Sequence, residues 1–272
     1  MVLCALISVQ STLKILQPLN VLIIVINTIM WVPHAAAVDT LDIGLLESPP
    51  WSYQNEQGDI EGIYIDLFRE IEGNLKGAIK LNVKLYPLAR VLLQVKSGVE
   101  IAVMSYRPER ERLMHPLHPL YRTPFVLISL EGSGIHSLND LEGRSVAMLI
   151  GGSECPCLDD KIPYKKIKLN QHIQGIRMLF NDRVDAVAGP AIRLYGRIEE
   201  LNVKQSLAPD ITYERRTVWI WAARHIQKSK KVMLFKKQVE RILATGKFRA
   251  LATEHLSPTQ TKYLYDLSPD HR

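Results

Sequence analysis

The sequence predicts an α/β protein of two similarly wound lobes, each a mostly parallel sheet flanked by helices, joined by two crossing strands. Three observations carry this. Short strand patterns alternate with amphipathic helix patterns along most of the chain, the order that builds parallel sheets. A unit of helix end, turn, acid and strand occurs twice, over residues 93–103 with Glu100 and over residues 179–187 with Asp185. A Gly-rich stretch, Glu131-Gly132-Ser133-Gly134, separates the two series. Crossings near residues 129–132 and 219–223 assign residues 38–130 and 223–272 to lobe 1 and residues 131–222 to lobe 2.

The elements follow in order. Residues 41–46 read as the first strand, broken by Pro49-Pro50-Trp51, and residues 57–59 form a turn. Ile63, Ile65, Leu67, Phe68 and Ile71 give a helical apolar face that Gly73 is expected to end. Residues 81–86 alternate apolar and polar side chains, a strand pattern. Pro87 opens a second helix with Leu88, Val91, Leu92 and Val95 on its apolar face, closed by Ser97-Gly98. Residues 101–104 and 125–130 are short buried strands. After the Gly-rich crossing, residues 146–150 open the second series. A helix over 174–180, a strand over 185–188, a helix over 191–201, a strand over 218–223 and an amphipathic helix over 232–243 complete it.

Composition narrows the function. The 272 residues are 47% hydrophobic and 23% charged, values of a globular chain with a sizeable core. The net charge of +6 is mild. No long Lys/Arg block, zinc-finger spacing or RNA-binding run is present, so nucleic acid is not an expected partner. No Ser/His/Asp set or metal-spaced His pair stands out, because Pro116 and Pro119 interrupt any helix that would align His115 with His118. No metal or cofactor is expected, and the protein is expected to act as a monomer.

Residues 1–37 carry one charge, Lys14, and no acid. The apolar run over 21–32 precedes Pro33-His34-Ala35-Ala36-Ala37, with small residues where a signal peptidase reads. A cleaved signal peptide over residues 1–37 is therefore expected. The alternative, a membrane anchor, needs about 20 apolar residues. Cys4 leaves with that segment. Cys155 and Cys157 remain, as two thiols or as a strained local disulfide.

The ordered motifs together resemble the family 3 bacterial extracellular solute-binding proteins, a periplasmic-binding-protein-like fold. The resemblance rests on Gly44, Pro49-Pro50-Trp51, Gly58 and Gly62-Ile63-Tyr64-Ile65-Asp66-Leu67, then Val95, Gly98 and Glu100. It continues through Ser105-Tyr106-Arg107-Pro108-Glu109-Arg110, Pro119, Tyr121 and Phe125-Val126-Leu127. Leu179 with Asp185-Ala186-Val187, and the closing helix with Thr245-Gly246-Lys247-Phe248, extend it over about residues 41–256.

The resemblance implies a ligand cleft between the lobes that closes by a hinge motion. It implies that Arg110 clamps a ligand carboxylate, for which a guanidinium offers a rigid bidentate fork. An ion pair with Glu109 or Glu111 is the alternative. It places the hydroxyl and amide of Ser105 on the same carboxylate, against an N-cap role. Trp51 either stacks on the ligand or packs beneath the cleft. Glu47 lies near ligand positions, or is a solvated loop carboxylate. Tyr86 and Arg90 flank the start of the second helix, where Arg90 is a further anion contact or a surface side chain. Gly151, Gly152 and Ser153 offer backbone N–H groups to an anion, or form only a turn. One departure stands out. Amino-acid-binding members carry an Asp where this chain has Pro190, so the usual partner of a ligand ammonium is missing, and Asp185 matches a structural acid. The resemblance thus implies a periplasmic binding protein that captures a small polar, carboxylate-bearing, amino-acid-like solute for an ABC permease or a sensor. The alternative is an enzyme on the same fold, such as a dehydratase of a cyclic carboxylate, with Glu47 as the acid and Arg110 holding substrate.

Overall fold

The computed structural model describes residues 38–150, 158, 162–203 and 205–265. The expected signal peptide over 1–37, the Cys155 and Cys157 pair, and the Gly151, Gly152 and Ser153 turn lie outside the described residues. Strand β1 (Asp39–Leu46) leads through a small hairpin, β2 (Tyr53–Gln54) and β3 (Ile60–Glu61), into helix α1 (Ile63–Leu75). Then come β4 (Ile79–Tyr86), α2 (Leu88–Val95) and β5 (Ile101–Ser105). A 3-10 turn (Pro108–Arg112) precedes the long β6 (Met114–Ser129). A second 3-10 turn (Leu138–Leu141) leads to β7 (Ser145–Leu149), β8 (Lys165–Leu169), α3 (His172–Phe180), β9 (Ala186–Pro190) and α4 (Ala191–Leu201). The chain returns through β10 (Ile211–Ala223) to α5 (Lys230–Ala244), α6 (Lys247–His255) and α7 (Pro258–Thr261).

The main sheet has eight strands in the order β4-β1-β5-β10-β6-β9-β7-β8. At one end β1 runs parallel to β4 and β5; at the other β7 runs parallel to β8 and β9. Between them β6 and β10 pair antiparallel over most of their length, β10 also meeting β5 and β6 also meeting β9. The two expected crossing strands are therefore longer than their sequence patterns at 125–130 and 218–223. Pro116, Pro119 and Pro124 hide the first part of β6. They are tolerated because β9 joins β6 only from Phe125, so that part of the strand has β10 as its one neighbouring strand.

Both faces of the sheet are covered, and the period-two alternation sorts side chains between them. In the first half Ile101, Val103, Ile220 and Ala222 join a core with α1 and α5, while Ala102, Met104, Trp221 and Ala223 face Val91 and Val95 of α2. In the second half Val126, Ile128, Ala147 and Val187 pack with α3 and α4. Leu127, Val146, Met148 and Ala188 pack on the other side with Leu141 and Leu158. Burial on both faces explains why these strands read as unbroken apolar runs.

The repeated acid in the sequence has a physical counterpart. Glu100 accepts the backbone N–H of Asp42 at 3.1 Å and donates its own N–H to the Asp42 carbonyl at 2.8 Å. Asp185 likewise accepts the N–H of Ser145 at 2.7 Å and donates to its carbonyl at 3.0 Å. Each acid thus ties the start of its own strand, β5 or β9, to the parallel strand beside it, with Lys231 pairing Glu100 and Arg144 pairing Asp185.

Some elements differ from the expectation. Gly73 lies inside α1, which ends two residues later; Lys76 at φ 49° and Gly77 at φ 79° supply the left-handed turn that stops it. β8 is an edge strand rich in Lys, so its charge masks its pairing. α6 buries only Phe248 and Ala252, too narrow a stripe to stand out.

Burial raises the Asp185 carboxyl, but the Ser145 hydroxyl and amide and the Arg144 guanidinium outweigh it and hold it below its ordinary 3.8. A depressed carboxyl stabilises the fold above its unfolded pKa and loses that contribution as pH falls through the folded value. Asp185→Ala should cost about 1–2 kcal/mol in urea denaturation at pH 7. The gap between wild type and variant should close as the pH is lowered below about 4.

Candidate ligand-binding cleft

Winding both halves the same way brings the carboxyl ends of four parallel strands to one place, where α/β sheets bind ligands. Leu46 of β1, Val103 to Ser105 of β5, Leu149 of β7 and Pro190 of β9 all line one cleft, whose empty space counted together with its open mouth is about 650 Å³. The crossing strands contribute Thr123, Phe125 and Val218, and the first turns of α3 and α4 contribute His172, Ile192 and Arg193. A wider outer cleft adjoins it, lined by Glu47, Tyr53, Gln171, Arg177, Arg197 and Glu200 among others.

An aromatic tier forms one wall. Trp51 stacks on Tyr121 with centroids 4.6 Å apart and on Tyr64 at 5.1 Å, and the two tyrosine hydroxyls meet at 2.9 Å. Phe248 extends the tier beyond Tyr121. The motif around Gly62 sets this geometry. The N–H groups of Ile63 and Tyr64, unsatisfied at the start of α1, donate to the carbonyls of Pro50 and Trp51 at 3.1 and 2.9 Å. Gly62 stands at φ 119°, and a Cβ there would lie 2.6 Å from the Pro50 carbonyl oxygen. Only glycine lets the turn and the helix approach so closely. Ser52 closes the turn by donating its hydroxyl to the Leu46 carbonyl at 2.7 Å. Trp51 is 1% exposed, so it packs beneath the cleft as part of its lining.

Arg110 is the buried cation of the first half. It rises from the 3-10 turn that follows β5 and is 6% exposed. Its Nη1 donates to the Ser105 carbonyl and, at 3.3 Å, to the Ser105 hydroxyl. Neither Glu109 nor Glu111 forms an ion pair with it. The Glu111 carboxylate instead accepts the Tyr106 hydroxyl. Burial first, then the charges of Arg107 and Arg216, push the guanidinium down to about 10, with Glu109 opposing. It is still fully cationic at pH 7. Ser105 is not an N-cap; Arg107 holds that place. Arg216 sits nearby but is neutralised by Glu214 and lies 4.0 Å from the Phe125 ring centroid.

The second half faces this with Arg193 and His172. No hydrogen bond or ion pair engages Arg193 among the described residues. His172 Nε2 is sealed from solvent without a partner and sits 3.0 Å from where a Cβ on Gly189 would be. Burial, reinforced by Arg193 and Arg197, lowers the imidazole to about 3, so it is neutral at pH 7. Thr123, 4% exposed, also has its hydroxyl oxygen unpartnered in the lining.

The structure therefore brings Arg110, Ser105 and Trp51 together. Glu47 lies exposed in the outer cleft, its N–H bound to the Tyr86 carbonyl at 3.1 Å. Arg90 is exposed and outside the lining, and Asp185 is the structural acid described above. Sequence reasoning passed over Tyr64, Tyr121, Thr123, His172 and Arg193. The signal available for the last two was position: each lies in the first turn of a helix that follows a strand end. Among the described residues no group of three or more His, Cys, Asp or Glu is placed to hold a metal ion, and no helix is long and apolar enough to cross a membrane.

The family model of the bacterial extracellular solute-binding proteins, family 3, matches residues 41–258. A probable amino-acid-binding protein, YxeM of Bacillus subtilis (strain 168), is 25% identical over 179 residues, 62% of this chain and 66% of its own length, just under two thirds. An ancestral arginine-binding protein bound to arginine superposes with a TM-score of 0.69 at 20% identity, covering 80% of this chain and 98% of that one. A histidine kinase sensor domain with similarity to periplasmic binding proteins gives a TM-score of 0.69 at 16% identity, over 84% of this chain and 98% of that one. These likenesses establish the two-lobed fold.

Gly62→Ala should lower stability by more than about 1 kcal/mol, because alanine at positive φ is strained and its Cβ would press on the Pro50 carbonyl oxygen. Near-ultraviolet circular dichroism should lose intensity in the folded variant as the Trp51–Tyr121 stack loosens. An unchanged melting transition and spectrum would refute the docking role of this turn.

Proposed function

The chain belongs to the bacterial extracellular solute-binding proteins, family 3, and from that membership we propose that it is an exported protein that captures a small carboxylate-bearing solute and presents it to an ABC-type permease or a sensor, with no chemical step of its own. The observation that carries this reading is Arg110: a buried guanidinium on the cleft wall with carbonyl and hydroxyl partners but no carboxylate. An unpaired buried charge is costly, and a ligand carboxylate offsets that cost with two charge-assisted hydrogen bonds. Ser105 completes the clamp from the end of β5. The apolar run over 21–32 and Ala35-Ala36-Ala37 support export by a leader cleaved before Val38. Beside a permease, the sensor-domain neighbour supports a sensor as the downstream partner.

The crossing strands serve as the hinge in this reading. Their ladder slips register between Thr212 and Glu214, Val218 and Trp219, and Ile220 and Trp221, and such bulges bend strands locally. Small-angle scattering should give a smaller radius of gyration at ligand saturation than without ligand; an unchanged radius would exclude closure.

Arg110→Ala should weaken binding by about 2–5 kcal/mol, roughly 30-fold to several-thousand-fold, measured by calorimetry on protein shown folded by its melting transition. Arg110→Lys keeps the charge but loses the fork and should fall between. Arg90→Ala, outside the lining, should bind within about threefold of wild type. Near-wild-type affinity in Arg110→Ala would sink the clamp.

A further inference from the structure

We infer that the ligand is a small dicarboxylate with an apolar body and no ammonium group, its second acid met by Arg193. This rests on the reading above, in which Arg110 takes the first carboxylate. The ionisable side chains that the described residues bring to the inner cleft are Arg110, Arg193, His172, Tyr64 and Tyr121, with no Asp or Glu among them. The outer cleft holds Glu47, which is exposed, and Glu200, which Arg197 neutralises. An ammonium drawn into the inner space would shed its water and meet two guanidinium groups and, among the described residues, no carboxylate, an expensive arrangement. A second acid meets the opposite situation.

Arg193 stands in the first turn of α4, an 11-residue helix whose N-terminal end favours negative charge. It lines both the inner and the outer cleft and has no acidic partner among the described residues. It lines the same inner cleft as Tyr64 and Tyr121 of the first half, and its charge opposes the rise that burial causes in both phenols. The two arginines thus come from opposite halves. Between them Leu46, Val103, Leu149, Ile192 and Val218 present hydrocarbon, which suits a methylene chain or ring. Thr123 and His172 also belong to this lining, but the Thr123 hydroxyl oxygen and His172 Nε2 are sealed from solvent, so the two arginines are the charged groups that the inner cleft offers a second acid.

The test is calorimetry on the exported protein with matched probes. Succinate, glutarate and adipate are the dicarboxylates; aspartate, glutamate and 2-aminoadipate add an ammonium; butyrate, valerate and hexanoate remove the second acid. At least one dicarboxylate should bind about 10-fold or more tightly than both its amino and its monocarboxylate counterparts. Arg193→Gln should cut the preference for that dicarboxylate over its monocarboxylate by about 10-fold or more. An amino acid that binds more tightly than its desamino counterpart overturns the inference, as does a preference that Arg193→Gln leaves unchanged or the failure of every dicarboxylate to bind. If carboxylates bind through Arg110 while a second acid confers no advantage, this inference fails and the clamp stands. If Arg110→Ala changes no affinity, both fail.

Discussion

Two antiparallel strands long enough to belong to both halves of the sheet decide most of this structure. β6 and β10 share one ladder, and each then finds a second partner in a different half: β10 beside β5, β6 beside β9. Because the two halves are wound alike, joining them through this ladder brings the carboxyl ends of β1, β5, β7 and β9 to the same cleft. Thr123, Phe125 and Val218 line the cleft because they lie where the strands pass from one half to the other. The cleft is thus a product of topology before any side chain is chosen.

What the side chains add is a set of restraints that hold charge away from water. Gly62 lets α1 abut the Pro50 and Trp51 carbonyls, which fixes the Trp51, Tyr64 and Tyr121 tier. The 3-10 turn folds Arg110 back onto Ser105 of the same motif, so one short segment supplies both the cation and part of its hydrogen bonding. A carbonyl and a hydroxyl satisfy hydrogen bonds on the guanidinium without cancelling its charge. The site therefore keeps a positive potential in a poorly solvated place, where an anion gains more than it would at the surface.

Much of this was legible in the sequence. Buried strands announced themselves as apolar runs, and the twice-occurring acid pointed to two similar lobes; Glu100 and Asp185 do hold corresponding strand starts. The motif containing Ser105 and Arg110 could be read because its members are close in the chain. The rest was hidden for identifiable reasons. Prolines disguised the first part of β6, lysines disguised β8, and the left-handed Lys76 ended α1 where Gly73 had looked the natural stop. Arg193 and His172 carry no local pattern at all. Their placement follows from which strand each helix follows, information that exists only once the sheet order is known.

Selectivity in such a site comes as much from what is withheld as from what is offered. Substituting a proline at 190 supplies no side-chain acceptor at the end of β9, and Arg193 one turn later brings a positive charge to that end of the cleft. An amino acid and its desamino counterpart share every carboxylate contact. They differ in a charge that the described lining cannot pair and that two arginines repel. Discrimination of this kind needs no extra attractive contact for the favoured ligand, because the disfavoured one carries the whole penalty of desolvation without compensation. In the proposed reading the penalty scales with how completely the halves exclude water, so the same ladder that creates the cleft would also set how strict the choice of ligand is.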